Sequence, residues 1–344
     1  MRFDGKWRVS TAARMREQTM RFLTTLKATG AALWLTAGIA AAQSLEIVGQ
    51  PVARGIGFQP PVTELARDIE WLDNFLLVII SVITVFVTGL IIWCVLRYSE
   101  RRNPKPASFT HNSPLEVAWT IIPIVILVGI GAFSLPVLFK QQVIPTAEVT
   151  IKATGNQWYW SYEYVDEALD PATAVEGTPA ETLVFDSYMI GGPFTGGTNM
   201  MTSEVEAQLV AAGYSKEQFL LATDTSLVVP VGKTVVLQVT GSDVIHAWAM
   251  PAFGVMQSGV PGRLASLWFK ADREGIYFGQ CTSLCGQMHA YMPITVKVVS
   301  EQVYADWLAA NKAASLAGGD HVEPEQVMTA DAALAPAATL AANE

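Results

Sequence analysis

The sequence predicts a two-helix transmembrane hairpin followed by an all-β domain of sandwich or Greek-key type. Three observations carry that reading. Residues 75–96 and 117–139 are apolar and free of charged side chains. Residues 147–300 break into short strand-like runs punctuated by Gly, Pro and Asp. Between the last two of those runs lies Cys281-Thr282-Ser283-Leu284-Cys285-Gly286-Gln287-Met288-His289-Ala290-Tyr291-Met292.

The elements follow in chain order. Residues 1–42 read as a signal peptide. Arg14, Arg16, Arg21 and Lys27 precede an apolar stretch at 28–39, and Ala40-Ala41-Ala42 stand before a cut that leaves Gln43 first. That stretch is too short to span a bilayer. No cysteine follows the cut, so no lipoprotein anchor is expected. Segment 43–74 leads to the first span and is acidic near it, with Glu64, Asp68, Glu70 and Asp73 against Arg67. Residues 75–96 and 117–139 each exceed the ~20 helical residues that cross a hydrocarbon core of about 30 Å. Both being uncharged, they also explain why the 344-residue chain is 51% hydrophobic but only 15% charged, too poor in charge for an ordinary soluble protein. Cys94, inside the first run, reads as a small buried hydrophobe.

Loop 97–116 carries Arg97, Arg101, Arg102 and Lys105 against Glu100. Positive charge stays inside, so this loop is expected to be cytoplasmic and both chain ends periplasmic. Within it, Ser113-Pro114-Leu115-Glu116 reads as a helix start, with Ser as N-cap, Pro at N1 and Glu at N3. His111 reads as a loop residue rather than a ligand.

Glu148-Val149-Thr150-Ile151-Lys152, Thr234-Val235-Val236-Leu237-Gln238-Val239 and Ile294-Thr295-Val296-Lys297-Val298 typify the strands of domain 147–300. Residues 166–182 and 191–216 are Gly-, Ala- and Thr-rich and read as surface insertions. Segment 301–344 is expected to be a helix followed by a disordered tail, since no hydrophobic period persists beyond about residue 314. His321 falls in that tail.

The densest chemistry is the spacing C-x3-C-x3-H-x2-M, with His246 upstream in Asp243-Val244-Ile245-His246. Sulfur plus imidazole is the donor set that selects copper, and two cysteines four apart can share their sulfurs between two metals. A disulfide is the first alternative, but it leaves His246, His289 and Met292 unexplained. Zinc accepts Cys2His2 but has no use for a thioether. An aromatic run, Trp158-Tyr159-Trp160, could imitate a nucleic-acid platform. Domain 147–300 holds 15 acidic against 7 basic residues, however, and that balance opposes phosphate binding.

These residues resemble cytochrome c oxidase subunit II and its binuclear copper centre, CuA. The resemblance covers roughly residues 60–310. It extends to Gly155-Asn156-Gln157-Trp158-Tyr159-Trp160, Pro251-Ala252-Phe253-Gly254, Val260-Pro261-Gly262-Arg263 and Phe109-Thr110-His111-Asn112-Ser113-Pro114-Leu115-Glu116. It implies a cupredoxin-like Greek-key domain, with Cys281 and Cys285 bridging two coppers and His246 and His289 capping them. Met292 would be a weak axial ligand, and Ser283 would offer its backbone carbonyl. Trp158 would receive electrons from cytochrome c, and Glu116 would stand at the cytoplasmic entrance of a proton path. The implied activity is that of a cytochrome-c oxidase, in which haem–copper subunit I reduces oxygen to water and pumps protons, with subunit III alongside, in the bacterial inner membrane. Asp166, Glu167 and Asp186 are candidates for an acidic face that attracts a basic cytochrome.

The chain departs from the family's pattern at the subunit boundary. Ser283 stands where most members carry Glu, and Met256-Gln257-Ser258 where most read Lys-x-Asp. A hard cation prefers carboxylate oxygen, so the family's magnesium site is doubtful here. Two other readings compete. A membrane-anchored copper carrier would need neither the hairpin nor the aromatic strand, and a quinol oxidase subunit II would lack the copper ligands.

Overall fold

The computed structural model describes residues 45–105, 107–168 and 182–329. The expected signal peptide, most of the 166–182 insertion and the end of the tail lie outside them. A short strand β1 (Ile47–Gly49) leads to two long helices, α1 (Glu64–Arg97) and α2 (Ser113–Gln142). Both are long and apolar enough to cross a membrane, and their apolar side chains are exposed along the spans. At ~1.5 Å per residue, α1 is about 50 Å long and overruns the core by several turns. The acidic residues Glu64, Asp68, Glu70 and Asp73 therefore belong to the first helix rather than to a separate segment. Cys94 is exposed on it, not buried.

Charge and aromatic packing join the two helices. Lys140 near the end of α2 pairs with Glu64 and lies 2.6 Å from Asp68. One turn deeper, the rings of Trp71, Phe75 and Phe133 cluster with centroids 5.3–6.0 Å apart. The start of α2 differs from the sequence expectation by one residue. Asn112 is the N-cap, its side chain accepting from Leu115 N, and Glu116 Oε1 accepts from Asn112 N. Asn caps at least as well as Ser, and its longer side chain reaches the N3 amide.

The helical hairpin is locked to the β domain at the head of α1. The Thr63 side chain caps the helix by accepting from Ala66 N and donates to Phe253 O at 2.7 Å. Gly254 has φ +67°, and a Cβ there would lie 2.6 Å from Ala66 Cα. Only glycine permits both the backbone angle and that approach.

The β domain packs two sheets. One contains β2 (Val149–Asn156), β3 (Tyr159–Ala168), β4 (Thr182–Ser187), β6 (Val235–Gly241) and β9 (Ala265–Phe269), in the order β4-β3-β2-β6-β9. The other contains β5 (Leu227–Pro230), β7 (His246–Met250), β8 (Val255–Gly259), β10 (Gly275–Cys281) and β11 (Pro293–Val299), in the order β5-β11-β10-β7-β8, with β1 alongside β10. This is the expected cupredoxin-like architecture. Ile151, Trp160, Tyr162 and Tyr164 of the first sheet and Leu227, Trp248, Phe278 and Val296 of the second are buried in the core. Register pairs Asn156 with Tyr159, leaving Gln157-Trp158 as the hairpin turn.

Two expectations need correction. The 191–216 insertion contains a helix, α3 (Ser203–Ala211), which buries Val205 and Leu209. Nor are the described residues from about 314 to 329 disordered. Helix α4 (Glu301–Ala317) is followed by a strap whose backbone at Val322 bonds Asn311 and Trp307, while the His321 ring lies against Phe185 at 4.4 Å. Polar pairing holds this strap, so it leaves no hydrophobic period to read. The strap also explains why β11 is buried at every position. Lys297, its central cation, lies 2.8 Å from Glu323 and 2.7 Å from Glu325.

Burial opposes ionisation of Glu323, but Lys297 outweighs it and holds the carboxyl down to about 2. Lys297→Met should therefore destabilise the protein by about 1–3 kcal/mol, because it leaves the half-buried carboxylates of Glu323 and Glu325 without their cation. The depressed pKa means that Glu323 contributes fully above the ordinary glutamate range. That contribution is lost as pH falls from about 4.5 toward about 2. Denaturant midpoints measured across that window should fall in the wild type and be flatter in the variant. Equal midpoints for the two proteins at neutral pH would refute the clamp.

Candidate metal centre

Three strand ends and one loop build the site. Cys281 closes β10 and pairs with Trp248 of the neighbouring β7, which His246 opens. The loop then turns through Cys285, and a short 3-10 turn presents His289. Met292 precedes β11 directly. Thr282 N donates to Ala247 O, continuing the ladder into the loop and fixing its base.

The sequence-predicted donors converge. Cys281 Sγ lies 4.0 Å from Cys285 Sγ, 3.9 Å from His246 Nδ1 and 3.3 Å from Ser283 O. Cys285 Sγ lies 3.5 Å from both His289 Nδ1 and Met292 Sδ. Donor atoms of His246, Cys281 and Cys285 all fall within 4.8 Å of one another. His246, both cysteines and Met292 are buried, while His289 and Ser283 are half-buried. The sulfurs are free, not joined in a disulfide.

Electrostatics divides the two thiols. Burial opposes ionisation of Cys281, but the His246 ring and the Ala247 backbone hold its thiol below the usual range. Burial and then the neighbouring Cys281 sulfur push the Cys285 thiol well above the usual range. Two adjacent thiolates repel unless a cation lies with them, and a soft cation matches sulfur and imidazole donors. The donor set therefore fits copper.

Several supporting residues were not legible as such in the sequence. Asp243 Oδ1 lies 2.9 Å from His246 Nε2, which leaves Nδ1 facing Cys281. Burial raises the Asp243 carboxyl, but His246 and the amides of Val244 and Gln157 outweigh it and hold it below the usual range. The presence of Asp three residues before His was the available signal. Gly155 is required by packing, since a Cβ there would come 2.7 Å from the His246 side chain. The half-buried Trp158 donates its indole N–H to Cys285 O at 3.2 Å, and Gln157 Nε2 donates to the same oxygen at 2.9 Å. Trp160 instead points into the core, edge-on to His246 at 6.0 Å.

The remaining candidates lie apart. Glu116 is about 36 Å from Lys140 along α2 at ~1.5 Å per residue, and its carboxylate is engaged by the helix start. His111 is exposed beside Thr110. Ser258 sits on β8 opposite Ala247. Of the three acidic-face candidates, Asp166 is exposed, while Glu167 is paired with Lys312 at 2.7 Å. Asp186 accepts from the Ser161 and Tyr188 hydroxyls.

The family profile described as cytochrome c oxidase subunit II, periplasmic domain, matches residues 149–299, and the profile of its transmembrane domain matches residues 51–137. Cytochrome c oxidase subunit 2 of Cereibacter sphaeroides is 64% identical over 293 residues, covering 84% of this chain and 92% of that protein. The Zea mays protein of the same name is 35% identical over 255 residues, covering 74% and 88%. Among solved structures, the periplasmic domain of subunit II of cytochrome oxidase (CoxB) of Bradyrhizobium japonicum shares 40% identity. It covers 50% of this chain and 98% of that one, with a TM-score of 0.38.

In the metal-free protein, ultraviolet thiolate absorbance should rise in two separate steps of one sulfur each. The first is expected below the ordinary thiol range and the second well above it. Joint ionisation of both sulfurs in the ordinary range would refute the division.

Proposed function

The chain belongs to the cytochrome c oxidase subunit II family, and we propose that it takes electrons from a c-type cytochrome at Trp158 and passes them from the Cys281–Met292 loop to subunit I. It is a membrane-anchored subunit of a haem–copper oxidase complex, and its periplasmic-type domain is that family's CuA-binding domain. Cys281 and Cys285 would bridge the two coppers, with His246, His289, Met292 and the Ser283 carbonyl completing the ligands. Held there, the pair supplies one-electron transfer with little change in bond lengths.

The chain's own residues support that role. The one observation that carries it is the Trp158 indole bonded to the carbonyl of Cys285. It joins a half-exposed ring to a ligand-bearing residue through one hydrogen bond. Burial of His246, Cys281, Cys285 and Met292 keeps water from the donors. Because protein side chains occupy the positions around both sulfurs, no position is offered to a substrate, and oxygen chemistry falls to subunit I. The positive 97–116 loop faces the cytoplasm in this reading, and the β domain faces the periplasm. Glu116, on the cytoplasmic side, combines its capping role with a place at the mouth of a proton path. A subunit III completes the assembly. The neutral Ser283 and Ser258 contribute little to a magnesium ion at the boundary.

The intact oxidase should carry two coppers on this subunit, with an electron-spin signal split by both nuclei. Cys285→Ser should abolish the shared spin, whereas Met292→Leu should keep the copper but shift its potential. A signal from one localised copper, or zinc in the purified protein, would overturn the assignment.

Domain 147–300 carries a net charge of −8, which should steer a basic cytochrome. The second-order rate should fall about tenfold or more between low and high salt. Trp158→Phe should slow electron input while leaving cytochrome binding and the copper spectrum unchanged. A rate indifferent to salt would reduce the acidity to a solubility role.

A further inference from the structure

We infer that Asp243 is a positioning residue for electron transfer, a single carboxylate that holds a copper ligand and the electron-receiving turn in one frame. The inference rests on the copper reading above. Each oxygen of Asp243 has a separate task. Oδ1 accepts from Val244 N at 2.6 Å and faces His246 Nε2 at 2.9 Å. Oδ2 accepts from Gln157 N at 2.8 Å, at the head of the Gln157-Trp158 turn.

The far side of that turn closes the ring. Gln157 Nε2 and Trp158 Nε1 both donate to Cys285 O, and the Cys285 sulfur faces Cys281, which in turn faces His246 Nδ1. Neighbouring bonds stiffen the same junction. Ser242 N donates to Gly155 O, and Ser242 Oγ bonds Asn156 Oδ1 at 2.6 Å. The His246 ring packs so closely on Gly155 that it has little freedom to rotate away from the carboxylate.

Two consequences follow from this geometry. A carboxylate on Nε2 makes Nδ1 a stronger donor and fixes which nitrogen meets the metal. A stronger donor favours the more oxidised copper and so lowers the potential. The same carboxylate fixes the backbone of the turn, and with it the position of the Trp158 ring relative to Cys285. The Asp243 side chain is about one-third exposed, so the rival role is plain surface charge attracting a basic partner. That role predicts effects on cytochrome binding alone.

The two roles separate in oxidase complexes carrying Asp243→Asn, Asp243→Ala or Asp243→Glu. Asn has one acceptor oxygen, and the Oδ1 place, where Val244 N and His246 Nε2 both meet it, suits that oxygen better. The neutral oxygen then weakens the histidine arm, and the NH2 set against Gln157 N removes the turn arm. Ala removes both. The copper potential should rise in Asn and Ala, and copper should be lost to a chelator about tenfold more readily. Electron input from an uncharged phenylenediamine reductant should slow in both Asn and Ala, since Gln157 N loses its acceptor in each. Glu should restore the potential in part. Should Ala fail to assemble, the potential and copper retention of Asn decide alone. If the variants change only the KM for cytochrome c and its salt dependence, with potential, retention and phenylenediamine rate as in wild type, Asp243 is a docking charge and the inference fails. A wild-type complex without copper on this subunit would instead defeat the copper reading itself.

Discussion

Two buried sulfurs 4.0 Å apart resist joint ionisation at neutral pH unless a compensating charge lies with them. Two unit charges at that distance repel by about 4 kcal/mol at an effective dielectric of about 20. This constraint organises the domain. The fold brings imidazoles and a thioether to the sulfurs, and it keeps carboxylates off the sulfur side of the site. Asp243, the nearest acid described there, is turned to the far nitrogen of His246. The donors gathered there, sulfur and imidazole together, suit a soft cation.

Holding such a loop requires a stiff frame, and both sheets provide it. Cys281 is the last residue of a strand paired on either side, and Met292 directly precedes a strand that is buried throughout. Between the two strands, Thr282 still bonds Ala247 O, and the turn from the opposite sheet ties the rest of the loop down at the Cys285 carbonyl. The same logic operates at the membrane end. Thr63, Gly254 and the pairing of Arg67 with Asp272 at 2.6 Å join the first helix to the β domain. The orientation of the donor loop relative to the membrane thus follows from contacts in one short region.

The sequence exposed the ligand candidates because they are chemically rare and lie within one loop. It exposed the two spans because a run of about 22 uncharged residues has few other uses. The supporting network was hidden for a physical reason. Asp243 and Gln157 are 86 residues apart, and Gln157 and Cys285 are 128 apart, so no local period joins them. The C-terminal strap was misread for a related reason. Its anchors are polar groups answering buried partners, Glu323 for Lys297 and Val322 for Asn311, and no hydrophobic pattern announces them. The helix start at Asn112 was missed by one residue, because Asn and Ser are adjacent and both are good caps.

In the proposed reading, Ser283 separates two roles, one for its backbone and one for its side chain. Ser283 turns its carbonyl toward Cys281 at 3.3 Å, a contact that any residue type could make. That contact leaves its side chain free. At the proposed boundary the chain offers neutral groups: Ser283 itself, then Gln257 and Ser258 on β8, where Gln257 Nε2 already donates to Ser258 O. A hard divalent cation draws its binding from carboxylate charge, and neutral hydroxyls or amides replace that charge poorly. In the proposed reading, a magnesium ion at the subunit boundary would draw its carboxylates from a partner subunit. Electron transfer through the loop would then tolerate loss of that ion, since no donor to copper would depend on it.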